Sequence, residues 1–153
     1  MKQNFYVRHI NHSDINRWTK MWHEYLNFYQ TNLSEEVTQH TINKLLSGDD
    51  DFGCLVVCNN QDVPIGFLTF IVQFSTWKLN PLCYLHDLFV EENYRKTGAA
   101  KLLLNNLKEI GVSRNWARIY WLTKPNNNVA RIFYNKIAQG EDWIRYVLPL
   151  NNL

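Results

Sequence analysis

The stretch YLHDLFVEENYRKTGAAKLLL, residues 84–104, carries the chain's clearest chemical signal. An apolar run gives way to a charged turn holding Arg95 and Lys96. Then come Thr97, Gly98, Ala99 and Ala100, and Lys101 leads into a leucine-rich segment. A helix that starts at this corner would present backbone N–H groups with no intrahelical acceptor and a partial positive charge, a combination that attracts phosphate. Small residues let a phosphate approach the main chain, and adjacent cations add full charge at the same spot. A plainer reading has Gly98 easing a turn while Ala99 and Ala100 pack on a sheet. The corner matches neither the GxxxxGK phosphate loop nor GxGxxG, so neither a nucleoside triphosphatase nor a dinucleotide fold is favoured.

The elements around this corner follow from periodicity. FYVRHI (5–10) alternates like a strand, and residues 12–30 repeat Ile15, Trp18, Trp22, Tyr25 and Tyr29 at helical spacing, with Ser13 or Asp14 as cap. Ser34, followed by Glu35 and Glu36, opens a second helix that ends near Gly48. FGCLVVCN and PIGFLTFIVQ read as a hairpin around NNQD, and LCYLHDLFV (82–90) reads as a third strand of this group. Residues 98–112 form a helix bearing Ala100, Leu103, Leu104, Leu107 and Ile110. WARIYWLT is a strand, NNVARIFYNKIA a helix, and DWIRYVLPL (142–150) a closing strand. The order βααβββαβαβ implies a sheet with helices on both faces.

With 153 residues the chain is read as one domain, 1–153. Its hydrophobic share of 46% and charged share of 20% are ordinary for a globular protein, and a net charge of +2 is too balanced to imply a nucleic-acid partner. The three cysteines, Cys54, Cys58 and Cys83, cannot all pair and read as buried free thiols, which suits a reducing cytoplasm. No apolar run reaches the roughly 18 residues a membrane span needs, and the start lacks a signal-peptide core. The five histidines show no tight metal-ligand spacing, so no metal is expected.

YRKTGAAKLL resembles the R-x-x-G-x-G/A pyrophosphate loop of the GNAT superfamily of acyl-CoA-dependent N-acetyltransferases. The resemblance runs through nearly the whole chain. STWKLNPLCYLHDLFVEENYR is similar to the approach and fourth strand of that family. RIYWLTKPNNNVARIFYNKIA is similar to its fifth strand and the following helix, through Asn127, Ala130, Phe133 and Tyr134. DWIRY resembles the branch containing polyamine, amino-acid and histone acetyltransferases. The fold implied is α/β (α+β) of the GNAT type: three layers, with a mixed, splayed β-sheet and helices on both faces.

The resemblance implies that acetyl-CoA is the co-substrate. Its amide-containing arm would lie along Leu88, Phe89 and Val90. Its diphosphate would sit on Arg95, Lys96, Thr97, Gly98, Ala99, Ala100 and Lys101, with Ala100 in place of the commoner glycine. Asn127 and Ala130 would touch the cofactor, and Tyr134 would protonate the departing thiolate. At His86 relatives generally carry glutamate, which serves as base or holds a cationic substrate; imidazole could be the base at neutral pH. Strand alternation points Asp87 to the opposite face. Trp22, Tyr25, Tyr29, Trp77 and His86 are candidates for the acceptor pocket, because aromatic rings suit an ammonium group; the same stripe also reads as core packing. The implied activity is acetyl transfer to an amine of a small molecule or to a protein lysine. A non-catalytic acyl-CoA sensor on the same fold, or a binder of another phosphorylated ligand, is the rival. The aromatic C-terminal segment is a candidate homodimer surface.

Overall fold

The computed structural model describes residues 3–151. They fall into two compact units, one ending at Trp121 and one beginning at Leu122. The first holds β1 (Tyr6–His9), α1 (Ile15–Phe28), α2 (Glu35–Leu45), β2 (Phe52–Cys58), β3 (Pro64–Gln73), β4 (Leu82–Val90), α3 (Ala99–Ser113) and β5 (Arg118–Tyr120). The strands form one sheet in the order β1-β2-β3-β4-β5, antiparallel throughout except for the parallel β4–β5 pair. A parallel pair needs a crossover between its strands, and α3 supplies it. This is the mixed α+β architecture expected from the sequence.

Alternation along the strands sorts the core into two layers. Cys54, Val56, Cys58, Phe67 and Phe89 pack against Trp18, Met21, Trp22 and Leu26 of α1 and Ile42 and Leu45 of α2. The intervening residues Leu55, Val57, Leu68 and Phe70 are also buried and turn to the other face, where α3 contributes Leu103 and Leu107. On that side the Phe70 ring lies 5.6 Å from Trp116.

The caps follow local chemistry, with one difference from the sequence reading. Ser34 caps α2, its hydroxyl accepting the Val37 N–H at 3.3 Å, with Glu35 and Glu36 in the first turn. Ahead of α1 the cap is Asn11, whose side chain accepts the Ser13 N–H at the start of a short 3-10 turn, His12–Asp14. Asp14 completes this cap, its carboxylate accepting the Asn11 N–H at 2.9 Å. It is almost fully buried and accepts two hydrogen bonds from the Arg8 guanidinium, at 2.6 and 2.9 Å. A buried carboxylate demands a charged partner, and β1 supplies one.

In the second unit the one helix among the described residues is α4 (Asn128–Tyr134). The approach to it is held by Asn127 Nδ2 donating to Thr123 Oγ1 at 3.2 Å and by Arg131 Nη1 donating to the Pro125 carbonyl at 2.7 Å. Two sequence expectations are corrected here. The strand expected over 116–123 pairs only from Arg118 to Tyr120, and the closing strand expected over 142–150 does not form. That segment is irregular, with Trp143, Ile144, Tyr146, Val147, Leu148 and Leu150 exposed. An alternating pattern expresses compatibility with a sheet, but a strand exists only where another strand accepts its hydrogen bonds.

Gly66 lies where β3 runs close to β4, since a Cβ there would stand 2.7 Å from the Phe89 carbonyl oxygen. We expect Gly66→Ala to lower the unfolding free energy by about 1–3 kcal/mol, because backbone rather than a side-chain tip must give way. Urea unfolding followed by circular dichroism measures this.

Candidate active site

The register between β3 and β4 shifts at one point. Thr69 pairs with Asp87, but the next residue, Phe70, pairs with Leu85, which leaves His86 as the extra residue of a β-bulge. A bulge breaks the two-residue alternation. Asp87 therefore turns to the α1 face together with its partner Thr69, and two residues on Phe89 joins Phe67 in the α1–α2 core. This corrects the expectation that Asp87 points away from His86. His86 Nδ1 lies 3.2 Å from Asp87 Oδ2, the His86 side chain half exposed and the carboxylate buried.

Asp87 is well supplied with donors. Besides His86, the Thr69 hydroxyl donates to Oδ2 and the Tyr25 hydroxyl reaches it from α1. Burial pushes the Asp87 carboxyl up, but the hydrogen bonds from His86, Thr69 and Tyr25 outweigh burial and hold the group below the usual carboxylate range. Its charge in turn helps burial to push the Tyr29 phenol up. Tyr84 stands edge-on to the imidazole at 5.2 Å between centroids and stacks on Tyr120 at 5.1 Å, while the Tyr120 hydroxyl donates to Gln73 Oε1 at 2.7 Å. Thr69, Tyr84 and Tyr120 were not singled out in the sequence, which gives no sign of the bulge that gathers them around Asp87.

Beyond the bulge β4 has an open side. Its parallel ladder with β5 runs only over Leu82, Cys83 and Tyr84, and from Leu85 to Val90 that edge has no ladder partner among the described residues. The edge includes Leu88, Phe89 and Val90, and it leads through a 3-10 turn, Glu92–Tyr94, to the start of α3. At this corner Arg95 Nε donates to the Val90 carbonyl at 3.0 Å, and its guanidinium lies 5.9 Å from the Phe89 ring centroid. The Thr97 hydroxyl donates to the Tyr94 carbonyl. Lys96 and Gly98 both adopt left-handed backbone, with φ of 61° and 93°. Glycine suits that region; lysine does not, and such strain clusters at functional sites. Gly98 caps α3 without a side-chain hydrogen bond, and a Cβ built on it meets nothing within 4 Å. Ala99 is buried under α3, Ala100 is half-buried, and Lys96, Thr97 and Lys101 are exposed.

The aromatic stripe of α1 divides in two. Trp22 is core, stacked between Trp18 at 5.1 Å and Tyr25 at 5.5 Å. Tyr25 and Tyr29, 5.0 Å apart, continue outward, and Tyr25 also meets Phe89 edge-on at 6.3 Å. Trp77 is exposed in the loop before β4. In the second unit Asn127 precedes α4, Ala130 lies within it and Tyr134 ends it, 5.7 Å from Phe133. The thiols of Cys54, Cys58 and Cys83 are buried; burial pushes Cys58 up to about 11 and Cys83 to about 12, and Cys54 well above its ordinary value. Among the described residues no group of three or more His, Cys, Asp or Glu could hold a metal ion, and no helix is long and apolar enough to cross a membrane.

The open edge of β4 thus leads to a helix start that carries no side-chain cap. The model of the acetyltransferase (GNAT) family matches residues 17–138, and the chain belongs to that family. Among curated proteins it is 26% identical over 141 residues to the D-amino-acid N-acetyltransferase HPA3 of Saccharomyces cerevisiae, covering 92% of this chain and 88% of the relative. It is 21% identical to the thialysine N-epsilon-acetyltransferase of Caenorhabditis elegans, over 94% of this chain and 91% of that one. Solved structures share the fold. The metagenomic aminoglycoside acetyltransferase meta-AAC0020 superposes with a TM-score of 0.81 at 19% identity, covering 96% of this chain and 97% of its own. The aminoglycoside N-acetyltransferase AAC(6')-Iy in complex with CoA gives 0.80 at 15% identity, over 100% and 98%.

Asp87 also makes an acid-stability prediction. Its folded pKa is depressed, so its contribution is fully present above the unfolded value near 4 and is lost as pH falls through the folded value. Below about pH 4 the wild type should therefore lose stability more steeply than Asp87→Asn. Denaturant titrations at successive pH values compare the two slopes.

Proposed function

We propose that the chain is an acetyl-CoA-dependent N-acetyltransferase that moves an acetyl group directly to the amine of a small molecule, and that residues 1–153 act as a single domain in this reaction. The observation that carries the reading is the open β4 edge, Leu85–Val90, running into the uncapped start of α3 at Gly98. The family match across residues 17–138 supports both parts.

The residues present fit the donor. Along Leu88, Phe89 and Val90 the main-chain groups that turn away from β3 suit an amide-containing arm, as a strand edge suits an added strand. The first N–H groups of α3, with Lys96, Lys101 and Arg95, suit a diphosphate, and the open space at Gly98 lets it come close. When bound, acetyl-CoA supplies an activated acetyl thioester. His86 is the base that takes a proton from the attacking amine, and the Leu88 N–H donates to the carbonyl oxygen as negative charge builds there. Tyr134 donates a proton to the departing sulfur. A thiol ordinarily titrates near 8.5, so this acid help is modest. The rest of the acceleration is positional: two reactants held at attack distance. No cysteine relay is involved, because buried thiols with raised pKa values are poor nucleophiles at neutral pH.

The acceptor belongs to the class of small amines, in line with the relatives named for D-amino acids and thialysine. Tyr25, Tyr29 and Trp77 form its aromatic surroundings, with Trp22 behind them as support. Three free thiols suit work in a reducing compartment such as the cytoplasm.

Calorimetry with coenzyme A and acetyl-CoA should give measurable heat and one site per chain; no association with either sinks the proposal. Thiol release should follow with a panel of D- and L-amino acids, ornithine, thialysine and a lysine peptide, and binding without turnover on any of them would favour a sensor instead. Tyr134→Phe should lower kcat by roughly 10- to 100-fold, at or below the low end for a positioned general acid.

The rate should rise with pH through a pKa between about 6 and 8, and His86→Ala should abolish that limb. An unchanged profile assigns the base to another group.

A further inference from the structure

The bulge in β4 does more than expose an edge, because it sets a buried carboxylate against the imidazole that the acetyl-transfer reading uses as base. We propose that Asp87 is the positioning residue of a His86–Asp87 dyad, holding the imidazole with its hydrogen on Nδ1 so that the basic lone pair lies on Nε2. The inference rests on the N-acetyltransferase reading for its catalytic consequence, but the dyad itself is a property of the folded chain.

Three observations carry it. Nδ1 and Oδ2 are 3.2 Å apart, within hydrogen-bond distance, and join a half-exposed imidazole to a buried carboxylate. The carboxylate is itself fixed, by the Thr69 hydroxyl across the β3–β4 pair and by the Tyr25 hydroxyl from α1, so it cannot swing away from the ring. The imidazole is steadied on its own strand by the Tyr84 ring at 5.2 Å. A neutral imidazole has one donor and one acceptor nitrogen, and the hydrogen bond made by one decides the role of the other. An ionised carboxylate only accepts, so it selects Nδ1–H.

The proton account closes on these groups. As the amine nitrogen bonds to the acetyl carbon and the carbon–sulfur bond breaks, the amine's proton passes to His86 Nε2. The resulting imidazolium keeps its Nδ1–H against Asp87, which stays ionised, and the proton then leaves to solvent. Sulfur receives its proton from Tyr134, which is restored from solvent. Titratable groups facing the dyad include Tyr84 on β4, Tyr25 and Tyr29 from α1 and Cys54 from β2. All of them are neutral at pH 7, so the imidazolium has Asp87 as its counter-charge in this set.

The test combines spectroscopy on the unliganded protein with a double-mutant cycle. Imidazole ¹⁵N shifts of the wild type above the His86 pKa should report the Nδ1–H tautomer, and Asp87→Asn should lower the His86 pKa by about 1 unit or more. In turnover, Asp87→Asn should cut kcat about tenfold, part of the roughly 10²–10⁴ a positioned base contributes, with the KM for acetyl-CoA unchanged. It should cost nothing further in a His86→Ala background. A majority Nε2–H tautomer overturns the dyad, as does an equal loss of kcat in both backgrounds. The wild-type tautomer decides the question even where Asp87→Asn does not fold. Should no amine be acetylated, the enzymatic reading fails while the shifts and the His86 pKa still decide the dyad.

Discussion

One extra residue in one strand shapes this site. With His86 inserted between the pairs Thr69–Asp87 and Phe70–Leu85, β4 cannot keep the regular pleat of its partner. Bulges strengthen local twist and bend the strand that carries them. The parallel ladder to β5 ends at Tyr84, two residues before His86, and the main chain beyond it forms an edge. The same insertion rotates Asp87 by one face. The open edge and the turned carboxylate thus lie side by side on β4.

Burying Asp87 beside Phe89 and Tyr25 is costly unless the charge is met by donors. Thr69, Tyr25 and His86 meet it from three directions, and the result is a carboxylate that stays ionised inside an aromatic wall. The sequence resemblance implies a carboxylate at the position where this chain has His86. Here the partly exposed position holds imidazole, and negative charge sits one residue on, in a buried place.

At the other end of β4 the chain tethers its phosphate-suited corner to the same strand. Arg95 reaches back to the Val90 carbonyl while Thr97 closes the turn onto Tyr94. These bonds oppose the strain of left-handed Lys96 and let Gly98 begin α3 with its first N–H groups free of a side-chain cap. Position along β4 is thus linked to position at the helix start. A donor molecule contacting both would find them preset, which lowers the ordering cost of binding.

The helices, the β2–β3 hairpin and the corner at Gly98 were legible because each rests on local chemistry: helical spacing of Trp18, Trp22 and Tyr25, a serine cap at Ser34, glycine where φ is positive. The family pattern over Arg95–Ala100 and Asn127–Tyr134 was legible for the same reason, being short and contiguous. Trp22 as core rather than lining needed the packing, since periodicity alone cannot say how deep a stripe is buried. The segment 142–150 alternates like a strand yet pairs with none among the described residues, because a ladder depends on a second strand that no local pattern supplies. Asp87 is the sharpest case. Alternation counted along residues 82–90 sends it away from His86, and only the pairing of β4 with β3, which lodges an unmatched residue between Thr69 and Phe70, turns it back.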